Sequence, residues 1–142
     1  MTCVFERSDI GGVMAYKKRV LIVDDNHFFR EVMTNEFNEA GFDVLTAEDG
    51  EEGLQKFERM HPDVVIVDKI MPKMGGTRFM KRAQEHDFSK DVLFVTVSSM
   101  IAEPPHEHHH DVLGSKVHIP KTTKPVDIVI LVEQLLSRKA AK

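Results

Sequence analysis

Blocks of apolar residues alternate with amphipathic blocks along this chain, and the alternation predicts strands and helices in turn. The continuous apolar runs 20–23 and 64–67 each end at an aspartate, which is typical of strands buried on both faces of a parallel sheet. Residues 42–47 and 92–97 predict two further strands. Helical spacing separates these runs, and a last helix is predicted over 126–138.

The predicted helices begin and end at residues suited to those positions. A capped helix is predicted from Asn26 and ends at Gly41, and a second helix is predicted to start at Asp49-Gly50 and to stop at His61-Pro62. A third helix follows the Pro/Gly-rich loop 71–76. The residues predicted to face the core in the first helix are Phe28, Phe29, Val32, Met33, Phe37 and Ala40.

Strands and helices that alternate with short linkers indicate an α/β fold. Right-handed crossovers then favour a doubly wound parallel sheet flanked by helices on both faces. We assign residues 17–139 to this domain, residues 1–16 to a flexible N-terminal extension and residues 140–142 to a tail. In such folds the functional site lies at the carboxyl ends of the strands.

Composition narrows the class of protein. The chain has 142 residues, 42% of them hydrophobic, which suits one domain with a proper core. A net charge of −4 and scattered basic residues argue against direct binding to nucleic acid. Cys3 is the only cysteine, and no apolar run is long enough for a signal peptide or a membrane span. We therefore expect a cytoplasmic protein without membrane insertion.

Three carboxylates and a hydroxyl are predicted to share one cleft. Asp24, Asp25, Asp68 and Thr96 each lie at the carboxyl end of a predicted strand. Clustered carboxylates repel one another unless a hard cation relieves them, and few-ligand, water-rich binding suits Mg²⁺. With a metal in place, a carboxylate can attack a phosphoryl group, while a hydroxyl and a lysine stabilise the developing charge.

Four segments of the sequence carry a resemblance to a known family. They are VLIVDD, DVVIVDKIMPKMGG, VLFVTVSS and KPVDIVIL, in that order, within residues 17–138. The chain resembles a stand-alone response-regulator receiver domain of two-component signalling. That resemblance implies a CheY-like, flavodoxin-like fold with a doubly wound, five-stranded parallel sheet flanked by helices. The resemblance implies a phosphorylation-dependent switch.

The resemblance also implies a role for each residue of the predicted cleft. Asp68 would be the phosphoacceptor, Asp25 a direct Mg²⁺ ligand and Asp24 a mainly water-mediated ligand. The backbone carbonyl of Ile70 would complete the protein ligands. Thr96 would supply the hydroxyl, and a lysine would contact the phosphoryl group.

Two lysines compete for that last position. Counting from Gly114, the family's spacing falls on Lys121, whereas the Lys-Pro pair and the helix after it point to Lys124. We favour Lys124, because Lys124-Pro125 can adopt a cis peptide, which costs about 2.5 to 4 kcal/mol at a bond without proline.

The second half of the sequence departs from the family pattern. Val97 replaces a small residue, and Pro104 and Pro105 interrupt the region of the fourth helix, so we expect that helix to be irregular or shortened. His118 is a candidate for the position at which the family carries an aromatic residue.

The same region contains a pattern that is typical of zinc proteases. His106, Glu107 and His110 form H-E-x-x-H, which predicts a zinc-dependent hydrolase as a remote alternative. Catalytic zinc needs a third protein ligand, and neither His118 nor Glu133 is suitably placed. We interpret the segment as a polar stretch.

The predicted partners follow from the receiver resemblance. A sensor histidine kinase or histidine phosphotransfer protein would donate the phosphoryl group, and the chain ends after the last helix, so output is expected through protein contacts or onward phosphotransfer. The fourth helix, last strand and last helix would form the output face, on which exposed Ile130 is compatible with a homodimer. A receiver-like binding module that does not use phosphorylation is the alternative.

Overall fold

The predicted alternation of strands and helices is confirmed in a computed structural model. It describes residues 8–10, 13–15, 17–69, 71, 73–98 and 117–141. The strands are β1 (Ser8–Ile10), β2 (Val13–Ala15), β3 (Arg19–Val23), β4 (Asp43–Ala47), β5 (Val64–Asp68), β6 (Leu93–Ser98) and β7 (Val117–Pro120). The helices are α1 (His27–Glu39), α2 (Gly50–Met60), α3 (Gly76–Ala83) and α4 (Pro125–Ala141), with a 3₁₀ helix at Asp87–Asp91.

Strands β3 to β7 form one parallel sheet in the order β4-β3-β5-β6-β7. This confirms the doubly wound, five-stranded fold class. Val23 pairs with Val67, and Val67 pairs with Thr96, so β3, β5 and β6 end side by side. The residues that follow these strand ends are therefore brought to one edge of the sheet.

Each face of the sheet is covered by helices, as the continuous apolar strands require. One layer packs α2 and α3 on the sheet through Leu21, Val23, Leu54, Phe57, Val65, Val67, Phe79, Met80 and Ala83, among others. The opposite layer packs α1 and α4 on it through Val20, Ile22, Met33, Phe37, Val64, Ile66, Val95, Ile128 and Val132, among others.

The predicted starts of the first two helices are confirmed, but part of the predicted face of α1 is wrong. The Asn26 side chain accepts a hydrogen bond from the Phe29 N–H, and the Asp49 side chain accepts one from the Glu52 N–H. Phe28, which was predicted to face the core, is 73% exposed, and Ala40 is also exposed. The buried face runs along positions four apart, so Phe28 is turned about 100° away from its neighbour Phe29.

Both predicted tails contain secondary structure. Within the predicted N-terminal extension, Ser8–Ile10 and Val13–Ala15 pair with each other as antiparallel strands in a separate two-stranded sheet. Helix α4 extends to Ala141, beyond the predicted domain end, because no helix breaker follows residue 138. Three predictions lie outside the described residues: the irregular helix predicted near Pro104 and Pro105, the Ile70 carbonyl, and the pattern of His106, Glu107 and His110.

Candidate functional site

Three carboxylates meet at the carboxyl ends of β3 and β5. One side-chain oxygen from each of Asp24, Asp25 and Asp68 lies within 4.8 Å of the others. Asp24 and Asp68 are buried, whereas Asp25 is exposed. The predicted convergence of these side chains is confirmed, because it follows from parallel neighbouring strands that end together.

Hydrogen bonds hold both the carboxylate and the backbone of Asp24 in place. The Asn26 N–H donates to Asp24 Oδ1 over 2.8 Å. The Asp24 N–H donates to the Ala47 carbonyl over 3.0 Å, which ties the end of β3 to β4. Arg30 Nη1 donates to the Asp24 carbonyl oxygen over 2.7 Å. Sequence reasoning did not identify this role of Arg30, although its position in the first turns of α1 is compatible with it.

The basic group of the site is Lys121. Its Nζ donates to Asp24 Oδ1 over 3.0 Å and to Asp68 Oδ2 over 3.2 Å. The ammonium also lies 4.9 Å from the ring centroid of Phe29, a cation–π distance. Strand pairing explains its position: Ser98 pairs with Pro120, and the Lys121 N–H donates to the Ser98 carbonyl. The sequence clue to Lys121 was its spacing from Gly114.

The prediction that Lys124 is the lysine closest to the carboxylates is therefore wrong. Lys124 is exposed, and its carbonyl accepts hydrogen bonds from the Asp127 and Ile128 N–H groups at the start of α4. The Lys124-Pro125 peptide is trans. The Lys-Pro pair marks the start of the helix, whereas pairing of β7 with β6 sets which lysine reaches the carboxylates.

Burial and charge act in opposite directions on this cluster. Burial raises the pKa of the Asp24 carboxyl above its ordinary value, although the bonds from Lys121 and the Asn26 N–H oppose the change. Burial alone would lower the pKa of the Lys121 ammonium, but the bonds and charges of Asp24 and Asp68 outweigh it, and this pKa is raised. The lysine is thus held in its charged form.

The cluster has the chemistry of a divalent-cation site. Buried Asp24 Oδ2 lies 2.8 Å from Lys121 Nζ as an ion pair, but within the described part of the chain it accepts no hydrogen bond of good geometry. One ammonium cannot neutralise three carboxylates, and carboxylate oxygens are hard ligands. Exposed Asp25 leaves a side open to water, so the donor set fits a partly hydrated ion.

Thr96 is buried on β6, next to the carboxylate strand. It pairs with Val67, the residue before Asp68, and on its other side with His118 of β7. Thr96 Oγ1 lies 2.9 Å from His118 Nδ1 and 3.3 Å from the Val117 carbonyl oxygen. The Thr96 hydroxyl is thus in contact with the backbone of the neighbouring strand β7 and with the ring of His118.

The backbone beyond Asp68 returns tightly against it. The Gly76 N–H donates to the Lys69 carbonyl over 3.0 Å. A Cβ at Gly76 would overlap the Asp68 carbonyl oxygen, whereas one at Gly75 would lie 3.5 Å from the Lys69 carbonyl. Glycine at 76 therefore permits the close approach of α3 to the end of β5. The Gly-Gly pair was visible in the sequence, but its contact was not.

Comparison of the sequence with known protein families matches residues 20–133 to the response regulator receiver domain. The chain belongs to this family. Receiver domains are signalling switches of two-component systems, and they interact with histidine kinases and phosphotransfer proteins. The matched range includes the three aspartates, Thr96 and Lys121, so the described site lies within the part of the chain that matches the family.

Individual proteins agree with this assignment. The receiver domain is 28% identical to the alkaline phosphatase synthesis transcriptional regulatory protein PhoP of Bacillus subtilis, over 85% of this chain and 49% of PhoP. It therefore spans about half the length of that relative. The chemotaxis response regulator CheY4 of Vibrio cholerae matches with a TM-score of 0.78 and 26% identity, over 85% of this chain and 100% of that one.

A third relative was solved as an assembly. The CheX-CheY-BeF3-Mg+2 complex from Borrelia burgdorferi matches with a TM-score of 0.74 and 29% identity, over 83% of this chain and 88% of that one. As for the membrane, none of the helices in the described ranges has the length and apolar character needed to cross a bilayer.

Proposed function

We propose that this receiver domain is a phosphorylation-dependent switch that accepts a phosphoryl group on Asp68 from a sensor histidine kinase or a histidine phosphotransfer protein. The observation that carries the proposal is the meeting of three carboxylates with the Lys121 ammonium at the ends of β3 and β5. This arrangement combines a nucleophile, ligands for a cation and a positive charge in one site.

In the proposed reaction, a carboxylate oxygen of Asp68 forms a bond to phosphorus as the bond from phosphorus to the donor nitrogen breaks. The donor histidine keeps the electron pair of that bond. Asp24, Asp25 and Asp68, with the Ile70 carbonyl, would hold Mg²⁺. When bound, this ion supplies positive charge that offsets the repulsion between the aspartates and the phosphoryl oxygens.

Lys121 and Thr96 would stabilise the phosphoryl group once it is attached. Lys121 Nζ already lies 3.2 Å from Asp68 Oδ2, so a small movement brings it to an oxygen bonded to phosphorus. Thr96 would donate its hydroxyl hydrogen to another phosphoryl oxygen. Any catalysis would be limited to the domain's own phosphorylation and slow dephosphorylation.

Output would pass through protein contacts or onward phosphotransfer. The last strand β7 and helix α4 offer the face we propose for a downstream protein, with Val126 48% exposed and Ile130 45% exposed. The same apolar side chains are compatible with a homodimer. The proposal retains the cytoplasmic location expected from the sequence.

One observation favours a receiver-like binding module that does not use phosphorylation. Lys121 forms ion pairs with both buried carboxylates, Asp24 and Asp68, and so neutralises part of the charge of the site. In a pure binding module this ion-paired arrangement would be permanent. Phosphoryl uptake separates the two functions.

The test is the intact mass of the protein after incubation with acetyl phosphate and Mg²⁺. We expect a labile phosphoryl adduct on the parent and none on Asp68→Asn. Asp91→Asn is the matched control, because Asp91 is exposed near the opposite end of β6 and should leave the adduct unchanged. No adduct on the parent would favour the binding module, and an adduct on Asp68→Asn would overturn the assigned acceptor.

A further inference from the structure

The Thr96 hydroxyl and the His118 ring are held together by the sheet itself. The two residues are direct partners in the pairing of β6 with β7. Thr96 is 2% exposed and His118 is half-buried, and Oγ1 lies 2.9 Å from Nδ1. At this distance one of the two atoms donates a hydrogen to the other.

The hydrogen between Thr96 Oγ1 and His118 Nδ1 can belong to either atom, which gives two possible arrangements of the bond. A threonine hydroxyl has one hydrogen to donate, and a neutral imidazole has one donor and one acceptor nitrogen. If Nδ1 is the acceptor, the Thr96 hydrogen is used on His118. If Nδ1 carries the hydrogen, it donates to Oγ1, and the Thr96 hydrogen is left for the Val117 carbonyl at 3.3 Å or for a better acceptor.

We propose that His118 is a positioning residue that directs the Thr96 hydroxyl toward the phosphoryl group. In the phosphorylated protein, Nδ1 carries the hydrogen and donates to Thr96 Oγ1, and the Thr96 hydrogen points to a phosphoryl oxygen. This inference rests on the proposed function of Asp68. Through its direct hydrogen bond, His118 would determine which acceptor the Thr96 hydroxyl donates to.

The arrangement follows from what each alternative would cost. If Nδ1 stayed an acceptor while Thr96 donated to the phosphoryl group, two lone pairs would face each other 2.9 Å apart without a hydrogen. A charged phosphoryl oxygen accepts a stronger hydrogen bond than the Val117 carbonyl. A neutral ring meets the requirement by moving its hydrogen from Nε2 to Nδ1, and no proton is gained or lost overall.

Substitutions that keep or lose a group at the Nδ1 position test this role. Asparagine at 118 places its amide near the position of Nδ1, whereas glutamine reaches toward Nε2, and phenylalanine keeps only the ring. With acetyl phosphate and Mg²⁺, we expect His118→Phe and His118→Gln to slow phosphoryl uptake roughly tenfold, because the hydrogen bond from position 118 to Thr96 Oγ1 is lost. His118→Asn should stay within about threefold of the parent.

The control is His61→Asn, because His61 lies beyond the opposite end of the sheet and asparagine tolerates its left-handed backbone. It should leave the rate unchanged. Nitrogen-15 NMR of His118 in the parent adds a readout that a packing role would not move. With beryllium trifluoride and Mg²⁺ bound at Asp68, Nδ1 should carry the hydrogen.

The outcomes separate this inference from the proposed function. A parent that forms the adduct while His118→Phe reacts at the parental rate would overturn the role of His118 alone. An unprotonated Nδ1 in the beryllium trifluoride state would also overturn it, and this holds even if His118→Phe does not fold. A parent that takes up no phosphoryl group would overturn both.

Discussion

The aspartate side of the site and the lysine side are built from strands in different environments. Asp68 ends β5, all five residues of which are buried between neighbouring strands and both helical layers. Lys121 follows β7, an edge strand of the described sheet that pairs only with β6 and buries one of its four residues. The site therefore combines a residue at the end of an internal strand, Asp68, with a residue that follows an edge strand, Lys121.

This difference shows why the carboxylates are tightly placed while the lysine is less constrained. The side chains of β5 pack into the core layers on both faces of the sheet, so any shift of this strand would disrupt close packing on both sides. In β7 only Ile119 is buried, and the register depends on backbone pairing such as that of Ser98 with Pro120. The edge strand can therefore accommodate an unusual Pro-Lys-Thr-Thr-Lys sequence.

The largest expected effect separates the two lysines. Lys121→Ala removes the ammonium that pairs with Asp24 and Asp68, so phosphoryl uptake from acetyl phosphate should fall at least about tenfold. Lys124→Ala is the matched control, since Lys124 is exposed, and should change the rate less than about twofold. Equal losses in the two variants would show that edge-strand register does not select the lysine.

The tight backbone on the aspartate side can be tested with adjacent glycines. Gly76→Ala forces a Cβ onto the Asp68 carbonyl, so the free energy of unfolding should fall by about 2 to 3 kcal/mol in urea denaturation. Gly75→Ala meets only a contact at 3.5 Å and should cost less than about 1 kcal/mol. Similar losses for both would mean that the loop can shift and that this side is not rigid.

The buried carboxylate should leave a mark on the pH dependence of stability. Burial raises the pKa of Asp24 in the folded protein above its ordinary value of 3.8. At a pH between the pKa of the unfolded state and the higher pKa of the folded state, the folded protein binds more protons than the unfolded one. The contribution of Asp24 to the free energy of unfolding therefore falls as the pH rises through this range.

Asp24→Asn should remove this contribution. Without divalent cations, the stability of the variant relative to the parent should increase from pH 4 to pH 7, measured by urea unfolding. Asp91→Asn is the control, because that carboxylate is exposed. A relative stability of Asp24→Asn that falls over the same range would contradict the pKa direction.

The smallest expected effect concerns the aromatic ring that meets the lysine. Phe29→Leu keeps an apolar side chain but loses the cation–π contact with Lys121, worth about 0.5 to 1 kcal/mol, or a two- to fivefold slower phosphoryl uptake. Phe28→Leu alters an exposed ring one residue away and should leave the rate unchanged. The reverse pattern would exclude Phe29 as a support for the lysine side.

The fold and the acidic half of the site were predictable from sequence because their causes are local. Apolar runs such as Val64–Asp68 mark buried strands, and a parallel sheet brings their carboxyl ends together whatever the details of packing. That reasoning is enough to place Asp24, Asp25 and Asp68 in one cluster. The helix starts at Asn26 and Asp49 were also predictable from sequence, since each residue caps the first turn of its own helix.

Tertiary structure decided the rest, because the deciding contacts join residues far apart in the chain. Pairing of β7 with β6, rather than the Lys-Pro motif, brings Lys121 to the carboxylates and His118 to Thr96. Helical spacing alone could not tell that Phe28 turns outward while Phe29 lies against Lys121. An aspartate that ends a buried strand has its position set by that strand, whereas a lysine on an edge strand takes its position from its neighbour.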